Sequence, residues 1–472
     1  MPNRVPLDAK TARWLPWVVA IAFFMQSLDG TILNTALPAM ARDLAENPLR
    51  MQGVVIAYML TVALLIPASG WVADRFGTKK IFFGAIMLFS IGSLLCALSS
   101  TLTMLVGARV IQGLGGALML PVGRLVVLRA YPRSELVRIM GFITIPGLLG
   151  PLLGPTMGGW MVQYLTWHWI FLINLPIGVL GVILVLRYIP DYSGTPGQPL
   201  DVPGLLLSGV ALGGLVFGFE VLGHGLLPRQ WALLLIGGGL LSAWLYVLHA
   251  RRTAYPLIDF SLLKIPTFAV SFWGGNLMRI GSASQPFLLV LLFQLCFGLN
   301  PLQAGLLSVA GGVGALLMKM LAVRIVSRFG FRRTLIGNAV LTGATILACS
   351  LFEVSTPYWI VILVLFGSGI IRSLQFSTLG ALTYADVPPE QSSRASSLSA
   401  MTIQLTLSLS VGIAAGLLGL IMAVRGHATV EQSDIAWIMA GAGLLCALSG
   451  LVYRRLSPQA GSAIYAKRAE GM

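Results

Sequence analysis

The chain has 472 residues, 57% hydrophobic and only 10% charged, with 54 glycines and a formal net charge of +15. Soluble domains carry about 25% charged residues, so this composition excludes a fold around one aqueous core and fits a polytopic membrane protein. The basic residues fall almost entirely between hydrophobic runs, which points to orientation in a lipid bilayer rather than to a nucleic-acid footprint.

Runs of about 20 residues can cross the hydrocarbon layer. They lie near 15–38, 51–73, 80–100, 102–127, 138–162, 168–188, 203–223, 230–250, 266–296, 301–323, 333–354, 357–384, 396–424 and 434–453, fourteen predicted spans in all. With the N-terminus inside, the cytoplasmic side holds 22 Lys and Arg and the outer side four, while five lie within spans. The asymmetry and the even span number predict that both termini are cytoplasmic. The first run carries Asp29 and lacks a small-residue cleavage site, so it does not read as a signal peptide. Cys96, Cys296, Cys349 and Cys446 sit singly in separate runs, so neither a disulfide framework nor a metal site is expected.

Span one contains Leu28-Asp29-Gly30-Thr31-Ile32-Leu33-Asn34-Thr35-Ala36-Leu37-Pro38. A charge at bilayer depth costs at least about 3 kcal/mol, so Asp29 is a functional candidate; the plainer alternative is an Asp that only hydrogen-bonds a neighbouring helix. After span two comes Gly70-Trp71-Val72-Ala73-Asp74-Arg75-Phe76-Gly77-Thr78-Lys79-Lys80. Orientation explains its basic residues, but not its Asp and spaced glycines. Asp74 can pair with an Arg or accept from a helix terminus, latching two bundles in one state. The stretch Asp74–Lys80 recurs as Ser327-Arg328-Phe329-Gly330-Phe331-Arg332-Arg333, offset by 253 residues, with Ser327 in place of the Asp. Any latch is therefore asymmetric. The offset is too long for two six-span halves end to end, and fits if spans seven and eight are inserted between them. This divides the chain into 1–190, a first six-helix bundle; 191–265, two inserted helices with flanking loops; 266–455, a second six-helix bundle; and 456–472, a cytoplasmic tail.

Span four carries Arg109-Val110-Ile111-Gln112-Gly113-Leu114-Gly115-Gly116, and span five Gly147-x-x-Gly150-Pro151-x-x-Gly154-Pro155-x-x-Gly158-Gly159. Glycine and proline at these intervals give a smooth, bendable face for a neighbouring helix. Asp29 lies about nine residues, or about 13 Å, from the outer end of span one, and Arg109 about seven residues, or about 11 Å, from that of span four. At matching depth the two can pair if their spans adjoin. In span nine Asn276, Arg279, Ser282 and Gln285 recur at helical spacing before Pro286; Ser368, Arg372 and Gln375 do so in span twelve. Such polar faces, which Thr402 and Thr406 of span thirteen can join, belong to a cavity rather than to lipid, although interhelical hydrogen bonding would account for the Ser and Thr residues. Arg124 and Lys319 lie nearer the cytoplasmic end and can snorkel.

The loop after span two resembles the cytoplasmic signature of the major facilitator superfamily. The Asp29 stretch, and Trp167-His168-Trp169-Ile170-Phe171-Leu172-Ile173-Asn174-Leu175-Pro176-Ile177-Gly178, are similar to elements of its fourteen-helix drug:proton antiporter branch, with His168 standing where Arg is usual. The Arg109 motif is similar to the family's intramembrane arginine motif, and the span-five repeat to that of antiport-type exporters. The resemblance covers essentially the whole chain. It implies an all-α major facilitator fold in a bacterial inner membrane, alternating access as a monomer, and export driven by the proton gradient with no cofactor.

The resulting assignments are Asp29 and Arg109 for proton coupling; Gly70, Asp74, Arg75, Gly77 and Lys79 for the latch; and Gly150, Pro151, Gly154, Pro155, Gly158 and Gly159 for helix bending. Gln26, Asn34, Asn276, Arg279, Gln285, Arg372 and Gln375 are the substrate-binding candidates. If Asp29 pairs with Arg109, Arg279 and Arg372 remain as deep, uncompensated cations. Arginine's fork suits carboxylate or phosphate. That favours a small organic anion, a polycarboxylate such as citrate or its metal chelate, over the lipophilic or cationic drugs of multidrug efflux. A passive channel is a second class, opposed by the repeated halves and the latch. An enzyme lacks any His/Cys cluster, carboxylate pair or nucleophile motif.

Overall fold

The computed structural model describes residues 8–46, 51–132, 135–192, 199–224, 228–299, 301–426 and 430–461. Every regular element among them is helical: α1 (Ala9–Asp43), α2 (Gln52–Leu65), α3 (Ser69–Phe76), α4 (Thr78–Ala97), α5 (Leu102–Ala130), α6 (Leu136–Tyr164), α7 (Trp169–Leu172), α8 (Asn174–Tyr188), α9 (Val202–His224), α10 (Arg229–Ala250), α11 (Pro266–Ala283), α12 (Gln285–Leu291), α13 (Pro301–Ser350), α14 (Tyr358–Leu382), α15 (Ser392–Arg425) and α16 (Gln432–Tyr453). Among the described residues, eleven helices are long and apolar enough to cross a membrane, or up to twelve if the bent pair Gln303–Lys319 and Leu321–Ser350 is one span. Helix α6, Leu136–Tyr164, covers the expected run at 138–162.

Local chemistry sets several boundaries. Asp8 caps α1 by accepting from the Thr11 amide, and Thr101 caps α5 by accepting from that of Met104. Glu431 and Asp434 form a reciprocal capping box on α16. The repeated motif turns at its glycine both times: Gly77, at φ 89°, joins α3 to α4, and Gly330, at φ 73°, breaks α13 into two arms. Only glycine adopts this region without strain. Span nine is interrupted where Pro286 predicts it, running as α11, α12 and one π-helical turn, Leu292–Cys296.

Helices α1–α8 and α11–α16 form two blocks, with the α9–α10 hairpin packed outside them; α9 lies against both α2 and α15. On α10, Leu233, Leu234, Leu240, Leu241 and Trp244 are exposed, as a surface facing lipid requires. At the end carrying Asp74 and the basic loops, one buried cluster mixes the blocks, joining Leu125 and Met140 to Phe268 and Leu398. At the other end the buried clusters stay separate: one draws only on α1–α8 and their connections, the other on residues from Met278 onward.

The α1–α6 interface accounts for the glycine repeat. A Cβ on Gly150 would stand 2.5 Å from Ser27 Oγ, one on Gly154 2.3 Å from Thr31 Oγ1, and one on Gly158 2.2 Å from Thr35 Oγ1. Ser27 Oγ donates to Gly147 O at 2.7 Å, and Thr31 Oγ1 to Gly150 O at 3.1 Å. These three glycines therefore let the backbones approach, whereas Gly159 faces open space. The side chains of Pro151 and Pro155 lie outside the described residues.

Candidate functional site

Asp29 and Arg109 are each 1% exposed, and Arg109 Nη1 donates to Asp29 Oδ2 at 2.7 Å. Gln112 Nε2 donates to Asp29 Oδ1 at 2.8 Å and Asn174 Nδ2 to the same oxygen at 3.3 Å. Three donors thus converge on one carboxylate. Arg109 is held in turn by Gln112 Oε1 at 2.6 Å and Val54 O at 3.2 Å, and its guanidinium lies 4.4 Å from the Tyr58 ring centroid. Ser93 Oγ accepts from both Gln112, at 2.9 Å, and Asn174, at 3.3 Å. Helices α1, α2, α4, α5 and α8 meet here because α5 carries small residues where its neighbours press: a Cβ on Gly113 would meet Thr61 at 2.8 Å, and one on Gly116 the Tyr58 hydroxyl at 2.5 Å.

The sequence reading pairs Asp29 with Arg109 but misses Gln112, Asn174, Ser93 and Tyr58. Gln112 had a signal, standing three residues after Arg109 and hence on the same helical face. Asn174 lies in the Trp167–Gly178 stretch. Tyr58 had none.

At the basic end, Asp74 binds Arg129 of α5 and Ser393 of α15. Ser69 and Ser397 share a 2.9 Å hydrogen bond, and Ser396 Oγ donates to Pro121 O at 2.8 Å. Gly70 lies against α15, where a Cβ would stand 2.7 Å from Ser397 Oγ. The motif's own basic residues do not hold Asp74: Arg75 is exposed, and Lys79 Nζ donates to Leu186 O at 2.7 Å.

The substrate-binding candidates do not gather in one place. Asn276 Oδ1 accepts from Arg279 Nη1 and Thr406 Oγ1, both at 3.2 Å, and lines with Arg279, Phe268, Ser271, Thr383 and Thr402 a small cavity. Arg279 is 8% exposed and its Nε has no partner among the described residues. Arg372 is half-buried, also with no hydrogen-bond or ion-pair partner among them. Gln285 is instead engaged with Ser368 and Cys349, and Gln375 with Asn338 and Tyr453, so both amides are taken up by bonds between buried helices. Gln26 donates to Gly116 O in the first block, leaving its Oε1 without a partner there. The Asn34 side chain lies outside the described residues. Among the described residues no His, Cys, Asp or Glu cluster could hold a metal.

The family model of the Major Facilitator Superfamily matches residues 19–298 and 272–470. A protein of Pectobacterium carotovorum subsp. carotovorum (strain PC1) bearing the multidrug resistance name MdtD is 42% identical over 452 residues, 95% of this chain and 97% of that one. Its namesake in Salmonella heidelberg (strain SL476) is 41% identical over 452 residues, 94% and 95% of the two chains. The human organic anion transporter MFSD10 superposes with a TM-score of 0.68 at 15% identity, over 93% of this chain and 99% of its own. The proton:xylose symporter XylE gives 0.61 at 14% identity, over 93% and 95%. At such identities the two solved structures speak to the fold alone. The sequence relatives and the family model reach further, and on them the chain is a member of the major facilitator superfamily, a transporter similar to the MdtD-named proteins and not an enzyme.

Proposed function

We propose that the protein is a proton-coupled exporter of small organic anions, of the polycarboxylate class to which citrate and its metal chelates belong. One observation carries the substrate reading. From Pro266 to Arg425 the only acids are Glu353, Asp386 and Glu390, all outside the long helices, while Arg279 and Arg372 lie within them. A cavity walled by these helices attracts anions and repels lipophilic cations. The proton reading rests on Asp29, whose carboxylate is enclosed with Arg109. Parting that pair would free the carboxylate to take a proton, and rejoining would expel it. Each proton entering down the gradient supplies about 2.3 kcal/mol per 100 mV of potential.

The transport cycle in this proposal uses fourteen spans in an inner membrane with both termini cytoplasmic, so the joined basic end faces the cytoplasm and the conformation is outward-facing. Efflux from inverted vesicles, with and without a pH gradient, tests it against a carboxylate panel and a cationic-dye panel. Gradient-dependent carboxylate movement that weakens in Arg279→Ala and Arg372→Ala is the expected result; movement of dyes alone overturns the anion reading. Multidrug efflux is the second reading, supported by the name of relatives at 42% identity.

A further inference from the structure

We propose that Lys319 is a proton-exchange site at the seam between the two blocks, separate from Asp29, and that it must give up its proton for the basic end to close. Lys319 projects from the first arm of α13. Its Nζ donates to Thr144 Oγ1 of α6 at 2.6 Å and to Ser377 Oγ of α14 at 2.8 Å, so one amine ties the first block to the second. Both hydroxyls direct their own hydrogens elsewhere: Thr144 toward Gly141 O at 2.8 Å and Met140 O at 3.1 Å, Ser377 toward Ser373 O at 2.9 Å. Each therefore offers the amine only a lone pair. Two acceptors match the two N–H bonds of a neutral amine; an ammonium would add a third donor and a full charge.

Nothing on the neighbouring helices answers that charge. Helices α6, α13 and α14 contain no Asp, Glu or His. Their charged residues besides Lys319 are cations: Arg138, Arg324, Arg328, Arg332, Arg333 and Arg372. Their remaining titratable groups, Tyr164, Cys349 and Tyr358, lie near helix ends remote from Thr144, Lys319 and Ser377 in the sequence. Of the other elements packed on α13, α11 contributes Arg279, and α16 contributes Asp434, Cys446 and Tyr453; α12 and the π turn add only Cys296. Asp434 is committed to the α16 cap and Tyr453 to Gln375. A buried charge left unpaired in such surroundings is strongly disfavoured.

The proton balance is simple. When the seam opens to water at the basic end, the nitrogen lone pair binds a proton from that water. When the seam closes, the same N–H bond breaks, the electron pair stays on nitrogen, and the proton returns to that side. Lys319 therefore carries no proton across. It makes closure easier as the pH on the basic side rises, whichever substrate is exported.

Spin labels at the exposed Arg138 and Arg328 read the seam distance in a cysteine-free Asp29→Asn background, where Asp29 no longer titrates. The closed-to-open ratio should rise with pH by up to about tenfold per unit, the limit for one proton. Lys319→Met should stay closed at every pH and Lys319→Arg, which keeps its charge, should stay open. Thr144→Ala with Ser377→Ala keeps the amine but removes its acceptors, and should move the profile to higher pH; it serves as the test if Lys319→Met does not fold. A flat parent profile, a slope that survives in Lys319→Met, or Met and Arg variants that loosen the seam alike would each overturn the proposal.

Discussion

At Asp29 the chain closes a carboxylate among three donors in a site with 1% exposure. Asp29→Asn keeps the shape and removes the charge. In proteoliposomes it should abolish the dependence of substrate flux on a pH gradient while the protein still folds and inserts. It leaves Arg109 buried without its counter-charge, a loss of about 3–5 kcal/mol, which a thermal unfolding shift would register. Gln112→Ala should cost less, about 1–3 kcal/mol, since it strips hydrogen bonds but keeps the ion pair. Outside the spans, Asp259 behaves differently. Burial alone would raise its carboxyl, but the Ser261 hydroxyl and amide and the Arg394 guanidinium hold it below the ordinary aspartate value of 3.8. A depressed acid stabilises fully above that value and loses its contribution as pH falls through the lower folded one. Partly exposed, it is worth at most about 1 kcal/mol. Asp259→Asn should flatten the acid limb of the stability profile by that amount. Depth along a helix made the Asp29–Arg109 pair legible in the sequence. Tyr58 and Ser93 were not, because an apolar run does not reveal which neighbour it faces.

Among the helices, the two copies of the basic motif offer a controlled comparison. Gly77 and Gly330 both hold positive φ, but a Cβ on Gly77 would also meet the Asp191 carboxylate at 2.4 Å, while one on Gly330 meets nothing within 4 Å. Gly330→Ala should therefore cost only the backbone strain, about 1–2 kcal/mol, and Gly77→Ala more, as paired thermal melts would show. The repeat was visible in sequence as residue identity; the crowding at only one copy was not. Of the span-five glycines, Gly150, Gly154 and Gly158 meet Ser27, Thr31 and Thr35, hydroxyls already present at helical spacing on the first span, whereas Gly159 does not.

Over the whole molecule, the joined end depends on polar contacts between blocks that sequence could not have paired, since Ser393 lies 319 residues from Asp74. Asp74→Ala removes an acceptor shared by Arg129 and Ser393. It should raise the alkylation rate of a cysteine placed at the buried Ser396 by opening the seam, with Asp74→Asn intermediate. The α9–α10 hairpin adds a consequence of its own. Helix α9 seats Gly209 and Gly213 on Leu64 and Leu60 of α2, and Phe219 on Gly412 of α15. It thus walls off one of the two flanks where the blocks adjoin. The other, where α6 meets α13 and α14, has no such cover among the described helices. A pathway from the lipid into the interior is consequently one-sided: hydrophobic molecules dissolved in the membrane would have to slip in past α6, along the flank that Lys319 ties.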